Sequence, residues 1–405
     1  MLNGKKIVLG VTGGIAAYKA AELTRMFVRE GAEVKVVMTR NATEFVTPLT
    51  FQTLSGNPVF LEMFSLIQER DIAHISLAQY ADVLIVAPAT ANAIAKITAG
   101  IADDLLTTVI LATKAPVILC PAMNVNMYEN KIVKANIKRL SALGYRFVEP
   151  DWGQLACKAE GQGRLAELND ILEAAVTALT PQDLKHVNIL VTAGPTREPL
   201  DPVRFITNYS SGKMGYAIAR MARRRGADVT LISGPTALQE ISGVRFISVN
   251  TAREMEKAVM KCFSDAEVVI KAAAVADYRP SHAMKGKIKK AQGALKLEFE
   301  PNPDIIATIG RKKGGRIVVG FAMETGNLMR NAQQKMVDKN MDLIVANELG
   351  VAGAGFQHDT NVVRILDRHG KVDVLPLMTK EAVAQRVLDR VCDLLAVKHK
   401  RLRRK

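Results

Sequence analysis

Short apolar runs alternate along the chain with longer stretches in which apolar residues recur three and four positions apart. The short runs indicate buried parallel strands, and the longer stretches indicate amphipathic helices. In the first half, the pattern predicts strands at 6–12, 33–38, 83–87, 116–120 and 145–148, and helices near 14–30, 43–54, 71–79, 103–113, 129–143 and 169–178. This alternation is typical of a doubly wound α/β fold.

The same alternation begins again after a polar connector at 179–186. Predicted strands lie at 187–192, 228–233, 244–248, 267–271, 316–320 and 342–346, and helices at 213–225, 252–263, 304–310 and 327–339. A hairpin at about 360–375 and a helix at 380–396 complete the pattern. We therefore predict an α/β protein with two Rossmann-like domains, the first of them flavodoxin-like, at 1–186 and 187–397, followed by a basic tail at 398–405.

Composition fits packed domains that handle anionic compounds. The 405 residues are 48% hydrophobic and carry a formal net charge of +15, with six Lys or Arg among the last eight residues. Terminal charge runs are usually solvated, and aromatic residues are not interleaved with the basic ones, so nucleic-acid binding is disfavoured. The four cysteines form no CxxC pair. The chain starts without a signal peptide and has no run of about 18 apolar residues, so we expect a cytoplasmic protein without membrane spans.

The first glycine-rich turn, after strand 6–12, favours a mononucleotide over NAD. Gly10, Gly13 and Gly14 do not form the GxGxxG fingerprint, and no acidic residue follows the second strand. Hydroxyl and amide side chains instead stand at successive strand ends, where a doubly wound sheet binds ligands: Thr12, Thr39, Thr90 and Asn92. Each alone is more typical of a helix cap, but together they favour a ligand such as FMN.

Five ordered motifs identify the first half more closely. They are the Gly13-Gly14-Ile15 turn, His74, the loop around Thr90 and Asn92, Pro121 to Asn124, and the loop that carries Cys157. In these motifs residues 1–180 resemble the flavin-dependent cysteine decarboxylases. The resemblance implies FMN at Gly13, Gly14, Ile15, Thr39, Thr90 and Asn92. It also implies His74 as base, Asn124 as carboxylate holder and Cys157 as proton donor, roles that suit an imidazole, an amide and a thiol.

Two residues depart from that family's pattern. Lys158 follows Cys157 where the family usually has Gly, and Leu165 follows Arg164 where the family usually has Met. A neighbouring Lys favours the thiolate form of a cysteine.

The second half carries a different set of motifs. A polar glycine-rich turn at 208–215 opens a helix without matching a Walker A loop, and it offers N–H groups to a phosphate. On composition alone, the basic run at 285–290 and the pair Lys335 and Lys339 are exposed surface. Together with the turn, however, they resemble phosphopantothenate–cysteine ligases, so that the whole chain resembles the bifunctional enzymes of coenzyme A biosynthesis.

This second resemblance implies that CTP activates 4′-phosphopantothenate as an acyl-cytidylate, which cysteine then attacks, with Mg²⁺ held mainly by the triphosphate. Asn208 would hold the acyl-cytidylate and Lys287 would assist at this step. The nucleotide would be framed by Ala273, Asp277, Lys287, Pro303, Asp304, Ile305, Ile306, Phe321, Lys335 and Lys339. Trimeric decarboxylase cores and dimeric ligase domains are also implied. The alternatives are another flavin-dependent cysteine decarboxylase or a non-catalytic regulatory homologue.

Overall fold

The computed structural model describes residues 2–64, 73–154, 160–289, 295–324, 328–348 and 353–402. The chain divides into two compact units, Met1–Thr180 and Pro181–Lys405. Each unit has a mainly parallel sheet with helices on both faces, which confirms the predicted α/β class.

In the first unit, the predicted strands and helices alternate, with further short elements at 59–60, 91–99, 125–129, 151–154 and 160–164 that the pattern did not predict. The strands are β1 Lys6–Val11, β2 Glu33–Met38, β3 Val59–Phe60, β4 Val83–Ala89, β5 Val117–Pro121, β6 Arg146–Phe147, β7 Asp151–Gln154 and β8 Glu160–Arg164. The helices are α1 Ala17–Arg29, α2 Pro48–Ser55, α3 Ala73–Tyr80, α4 Ala91–Ala99, α5 Leu105–Ala112, α6 Val125–Glu129, α7 Lys131–Ala142 and α8 Leu168–Leu179, with a 3₁₀ helix at Arg40–Glu44.

The sheet of the first unit runs in the order β3-β2-β1-β4-β5-β6, and its paired strands are parallel. Without the two-residue strand β3 this is the flavodoxin-like order, and β3 extends it to the order of Rossmann folds. Successive residues of β1 face opposite cores: Leu9 packs with α1 and α8, whereas Val8 packs with α3, α4 and α5. The order changes direction between β1 and β4, where a crevice opens.

In the second unit, the elements again follow the predicted order. The strands are β9 Asn188–Ala193, β10 Arg197–Pro199, β11 Phe205–Thr207, β12 Asp228–Ser233, β13 Arg245–Ser248, β14 Val268–Lys271, β15 Tyr278–Pro280, β16 Phe299–Pro301, β17 Ile317–Glu324, β18 Leu343–Glu348, β19 Thr360–Asp367 and β20 Val372–Thr379. The helices are α9 Lys213–Arg224, α10 Ala252–Cys262, α11 Ile305–Arg311, α12 Leu328–Asp338 and α13 Lys380–Leu402.

The main sheet of this unit runs β13-β12-β9-β14-β17-β18-β19-β20, and only its last two strands are antiparallel to their neighbours among the described residues. Val191 of β9 faces the core under α9 and α13, and Leu190 faces the core under α10, α11 and α12. The switch point lies between β9 and β14. Two short hairpins, β10–β11 and β15–β16, stand apart from the sheet.

The structure places the unit boundary earlier than the predicted position after residue 186. Asp183 accepts two hydrogen bonds from the buried Arg225 guanidinium at 2.8 and 2.6 Å, and the Gln182 amide donates to the Arg224 carbonyl at 2.7 Å. Leu184 is fully buried in the second unit's core. The connector 181–186 therefore packs with the second unit. At the other end, α13 extends to Leu402, beyond the predicted helix end at 396 and into the predicted tail.

Candidate active sites

A cavity of about 1020 Å³ opens at the switch point of the first unit. It lies where β1 and β4 end and the α1 and α4 segments begin, the position at which doubly wound sheets bind ligands. Predicted residues lining it are Gly13, Gly14, Ile15, Thr39, Thr90, Asn92 and Asn124. The structure thus brings seven of the first unit's nine predicted site residues to one cavity.

Thr12 and Thr90 join the two sides of this crevice. The Thr12 hydroxyl donates to the Pro88 carbonyl at 2.7 Å and accepts from the backbone N–H of Thr90 at 3.1 Å. The Thr90 hydroxyl in turn accepts from Ala93 N–H at 3.3 Å and caps α4. These hydroxyls therefore hold β1, β4 and α4 in place, a structural role in addition to the ligand contact that the sequence predicts for Thr90.

Glycine at position 13 permits a close approach of two chain segments. A Cβ there would lie 2.8 Å from the backbone carbonyl carbon of Asn41 and would also overlap the Asn41 side chain. At Gly14, by contrast, a Cβ would make an ordinary contact of 3.6 Å with Thr90 Cγ2. The cavity wall at Gly13 is thus backbone, which offers N–H groups to an anionic ligand.

Four basic side chains line the same cavity and were not predicted: Lys19, Arg40, Lys96 and Arg164. Lys96 pairs with Asp103 at 2.8 Å, and Arg164 pairs with Glu167 at 2.7 Å. Lys19 and Arg40 form no ion pair with the described residues. Their charge suits a phosphate-bearing ligand. The sequence signal was weak, because a basic residue near a helix start resembles ordinary surface.

Asn124 follows β5 and caps α6. Its side-chain oxygen accepts from Asn126 N–H at 2.9 Å, and the neighbouring Met123 N–H donates to the Gly163 carbonyl at 2.9 Å. The β7–β8 hairpin is therefore fastened next to Asn124, with Gln154 and Gly163 lining the cavity. Cys157 and Lys158 fall between β7 and β8, outside the described residues. Leu165, the second departure from the family pattern, is buried in the core.

His74 lies elsewhere in the first unit. It stands in α3, which packs against α5, and the cavity-lining residues among those described do not include it. The Nδ1 atom of His74 is buried and has no hydrogen-bond partner within the described part of the chain. The described lining of this cavity therefore includes Asn124 but not His74.

The second unit has a smaller cavity, of about 320 Å³, at the β9–β14 switch point. Six predicted residues line it: Ala273, Asp277, Ile306, Phe321, Lys335 and Lys339. The turn 210–215 forms one wall. Gly212 has φ +78°, and a Cβ on Gly215 would lie 3.0 Å from the Thr192 carbonyl oxygen, so both positions favour glycine. The turn therefore brings the start of α9 against the end of β9.

Five lysines line the second cavity: Lys213, Lys271, Lys335, Lys339 and Lys380. Burial lowers the pKa of Lys271, and repulsion from Lys339 lowers it further. Burial also lowers the pKa of Lys380, to about 8, with Lys213 contributing. A cavity with this excess of ammonium groups suits a polyanion. The sequence does not mark Lys213, Lys271 or Lys380 as site residues, since Lys271 ends a strand and Lys380 begins a distant helix.

Asn208 and Asp304 are not in the described lining of this cavity, but each contacts a residue that is. Asn208 donates from its amide to the carbonyl of Ala274, a lining residue, at 3.1 Å. Asp304 caps α11 and pairs with Lys339 at 2.9 Å. Burial raises the pKa of Asp304, but the hydrogen bonds from Lys339 and Ala307 and the positive charges of Lys339 and Lys271 together outweigh burial, so the pKa is lowered. Pro303 precedes this cap, and Ile305 is buried in the core.

Lys287 is exposed in the loop after β15. The backbone N–H of the next residue, Ile288, donates a hydrogen bond to the buried carboxylate of Asp201. Within the described ranges, the structure shows no group of three or more acidic, His or Cys side chains arranged to hold a metal. The same residues include no helix long and apolar enough to cross a membrane.

Comparison with known proteins assigns a family to each unit. Residues 1–180 match the family described as Flavoprotein. Residues 184–395 match the family described as DNA/pantothenate metabolism flavoprotein C-terminal domain. Together these matches cover nearly the whole chain in the same order as the two units.

Relatives share both halves. The coenzyme A biosynthesis bifunctional protein CoaBC of Bacillus subtilis is 47% identical over 398 residues, covering 97% of this chain and 98% of that protein. The Escherichia coli K12 protein of the same name is 47% identical over 405 residues, covering 99% and 100%. A crystal structure of the C-terminal domain of such a protein is 42% identical and covers 53% of this chain and 98% of that one, with a TM-score of 0.47. On these sequence matches, the chain belongs to the family of bifunctional coenzyme A biosynthesis proteins.

Proposed function

We propose that this chain catalyses two consecutive reactions of coenzyme A biosynthesis. The second unit couples cysteine to 4′-phosphopantothenate at the expense of CTP, and the first unit decarboxylates the resulting 4′-phosphopantothenoylcysteine to 4′-phosphopantetheine. The observation that carries the proposal is that each unit has a basic cavity at its own switch point. Membership in the family supports the order of the two reactions and a cytoplasmic location.

The residues of the first cavity fit FMN. A volume of about 1020 Å³ is at the upper end of the usual range for small-molecule sites. The bare backbone at Gly13, the start of α4 and the basic side chains Lys19 and Arg40 suit the phosphate, and Thr39, Thr90 and Asn92 suit polar groups of the ring and ribityl chain. When bound, FMN would supply the redox chemistry at the cysteinyl thiol that allows the carboxylate to leave as CO₂.

The side chains of the first unit would orient the substrate and move protons. The Asn124 amide would hold the carboxylate without adding a charge that stabilises it against loss of CO₂. Cys157 would donate the proton that completes the product. The Cys157→Ser variant should therefore release CO₂ from 4′-phosphopantothenoylcysteine but form no 4′-phosphopantetheine. Full product formation by that variant would remove Cys157 from the mechanism.

We propose that His74 acts as the base in a site completed by a second copy of the chain. Two observations support this: the described cavity residues do not include His74, and its Nδ1 has no partner among them. An assembly of trimeric first units fits this arrangement. Mixed oligomers of His74→Asn and Asn124→Ala chains should regain decarboxylase activity that neither variant has alone. Failure of co-assembled variants to complement each other would place the whole site within one copy.

In the second unit, the turn 210–215 with Lys213, together with Lys271, Lys335 and Lys339, would neutralise and hold the CTP triphosphate. Mg²⁺ would be carried mainly by the nucleotide and would offset part of the triphosphate charge, since Asp277 is the single acidic side chain in the described lining of this cavity. Asn208, fixed through the Ala274 carbonyl, would hold the acyl-cytidylate. Lys287 would approach the substrates from its loop, either when 4′-phosphopantothenate is activated or when cysteine attacks. The second units of two chains would form a dimer. The preference for CTP rests on the family.

The test is a visible spectrum of the purified chain followed by an assay with 4′-phosphopantothenate, cysteine, CTP and Mg²⁺. We expect flavin absorbance and CO₂ release that depends on CTP. A colourless chain that consumes CTP would refute the flavin site while keeping the ligase. A yellow chain that is inert to 4′-phosphopantothenate and CTP would refute the ligase assignment.

A further inference from the structure

Lys380, the first residue of α13, holds the loop formed by residues 353–359 in place through hydrogen bonds. Its ammonium donates to the carbonyl oxygens of Gly355 and Phe356, both at 3.0 Å, and to that of His358. Its backbone N–H also donates to the Asp359 carbonyl at 2.9 Å. Lys380 is 6% exposed. The three carbonyls match the three donors of an ammonium group, which allows it to remain buried.

The same loop contacts the turn 210–215. The Ser211 hydroxyl donates to the Phe356 carbonyl, which thus accepts from both Ser211 and Lys380. The Lys213 ammonium donates to the Gln357 carbonyl at 2.9 Å and to the Asp359 carboxylate at 2.7 Å. Two polar side chains of the turn are therefore held by the loop that Lys380 fastens.

The opposite side of the turn has little room to adjust. A Cβ on Gly212 would lie 2.6 Å from Thr236 Cγ2, and Gly215 packs directly on the end of β9. The turn 210–215 is tightly packed on this side and hydrogen-bonded to the 353–359 loop on the other, so its position is fixed. A change in the loop would therefore alter where Ser211 and Lys213 present their donors.

We propose that Lys380 is a positioning residue of the nucleotide site, acting through the Phe356 carbonyl on Ser211 and Lys213. This inference rests on the proposed function only in taking CTP as the nucleotide. The ammonium itself is satisfied by loop carbonyls, so its effect on the nucleotide is exerted mainly through the turn. Loss of the ammonium disorders the donors of the turn and weakens nucleotide binding.

The test compares full-length wild type with Lys380→Met, Lys380→Arg and, as an exposed control, Lys371→Met. We expect Lys380→Met to raise both the CTP dissociation constant and the KM for CTP about tenfold, as for a lost hydrogen bond to a charged group, with kcat changed much less. Lys380→Arg can again donate to the carbonyls and should restore much of the affinity. Lys371→Met should bind CTP like wild type.

A double-mutant cycle separates positioning from general stabilisation. Because Ser211 and Lys380 share the Phe356 carbonyl, Ser211→Ala should weaken CTP binding in wild type but have little further effect in the Lys380→Met chain. Additive effects, an unchanged CTP affinity, or an arginine variant as weak as the methionine variant would overturn the proposal. Flavin absorbance of the same chains reports whether the first unit is folded.

The binding measurement keeps this inference distinct from the proposed function. A wild type that binds CTP but does not couple cysteine would refute the ligase reaction and leave the Lys380 comparison decisive. A wild type that does not bind CTP would overturn both.

Discussion

The carboxylate of Asp201 accepts a hydrogen bond from the backbone N–H of Ile288 at 3.0 Å, which joins two loops that lie 87 residues apart. It also accepts from Val203 N–H and Arg204 N–H, both at 2.7 Å, and from the Arg204 guanidinium at 2.7 Å. Since Lys287 precedes Ile288, the buried Asp201 side chain determines where that loop, and with it Lys287, is attached to the second unit.

Replacement of Asp201 by Ala should therefore impair the ligase reaction without touching a substrate. Release of the loop misplaces Lys287, and a misplacement of about 1 Å can lower kcat roughly tenfold to a hundredfold. The measurement is kcat for CTP-dependent coupling, with flavin-dependent decarboxylation of supplied 4′-phosphopantothenoylcysteine as internal control. An unchanged kcat would mean that the Asp201–Ile288 contact does not position the loop.

The Asp201 contact should also depend on pH. Burial raises the pKa of Asp201, but the hydrogen bonds from Ile288, Val203 and Arg204 outweigh it and lower the pKa to about 2. A carboxyl with a lowered pKa in the folded state contributes stability above its unfolded pKa of about 4 and loses it as pH falls towards 2. The difference in Tm between wild type and Asp201→Asn should thus narrow as the pH falls from 5 to 2, because most of the charge-dependent stability is lost over that range. A constant difference would contradict the charge-dependent contact.

Gly13 and Gly14 should respond differently to alanine. At Gly13 the added methyl group collides with Asn41, and overpacking of this kind costs about 1–3 kcal/mol, whereas at Gly14 it meets only Thr90 Cγ2 at 3.6 Å. The free energy of unfolding of the flavin-free first unit should fall for Gly13→Ala and stay near wild type for Gly14→Ala. Equal losses would show that the two positions are packed alike.

Thr12 should tolerate serine but not valine. Valine keeps the shape and removes the hydroxyl, which leaves the Pro88 carbonyl and the Thr90 N–H without their partner. An unsatisfied buried polar group costs about 1–3 kcal/mol, so Thr12→Val should lower the free energy of unfolding and weaken flavin retention. Thr12→Ser keeps the hydrogen bonds. The two variants are compared by denaturant unfolding and by flavin absorbance after dialysis; similar losses in both would implicate the methyl group instead.

Asp304 should have a structural role that asparagine can replace. Its side chain accepts from Ala307 N–H at 3.0 Å and caps α11. Asp304→Ala loses the cap, which costs about 1 kcal/mol, whereas Asp304→Asn keeps it and loses only the partly exposed ion pair with Lys339. Unfolding of the second unit in urea should rank the asparagine variant close to wild type. If Asp304→Asn lowered the free energy of unfolding as much as Asp304→Ala, the ion pair with Lys339 would contribute more to stability than the helix cap does.

The parallel sheets were predictable because buried strands such as Val83–Ala89 and Val117–Pro121 are continuous apolar runs. The short hairpins were missed because strands such as Arg197–Pro199 and Tyr278–Pro280 have three residues and no apolar alternation. Helix α4 was missed because Ala91–Ala99 follows the Thr90 loop with only Ile94 and Ile97 marking its buried side.

The site residues, too, were predictable only where a local pattern in the sequence indicated them. Gly13 and Asn124 stand at strand ends, where topology alone places ligand-binding groups, and the structure puts both at one cavity. Lys213 and Lys380 are brought together by the 353–359 loop, and no local pattern in the sequence indicates a contact between positions so far apart. The role of Cys157 stays a prediction, because the residue lies outside the described ranges.

The contact between Asp183 and Arg225 determines where a second unit produced on its own would have to begin. Arg225 is held by Asp183 from the connector and by Asp389 from α13 at 2.7 Å, so the connector is part of the hydrogen-bonded scaffold that receives the C-terminal helix. A second unit produced from residue 187 onward would lack Asp183. Its buried Arg225 guanidinium would then keep Asp389 but lose one of these two carboxylate partners.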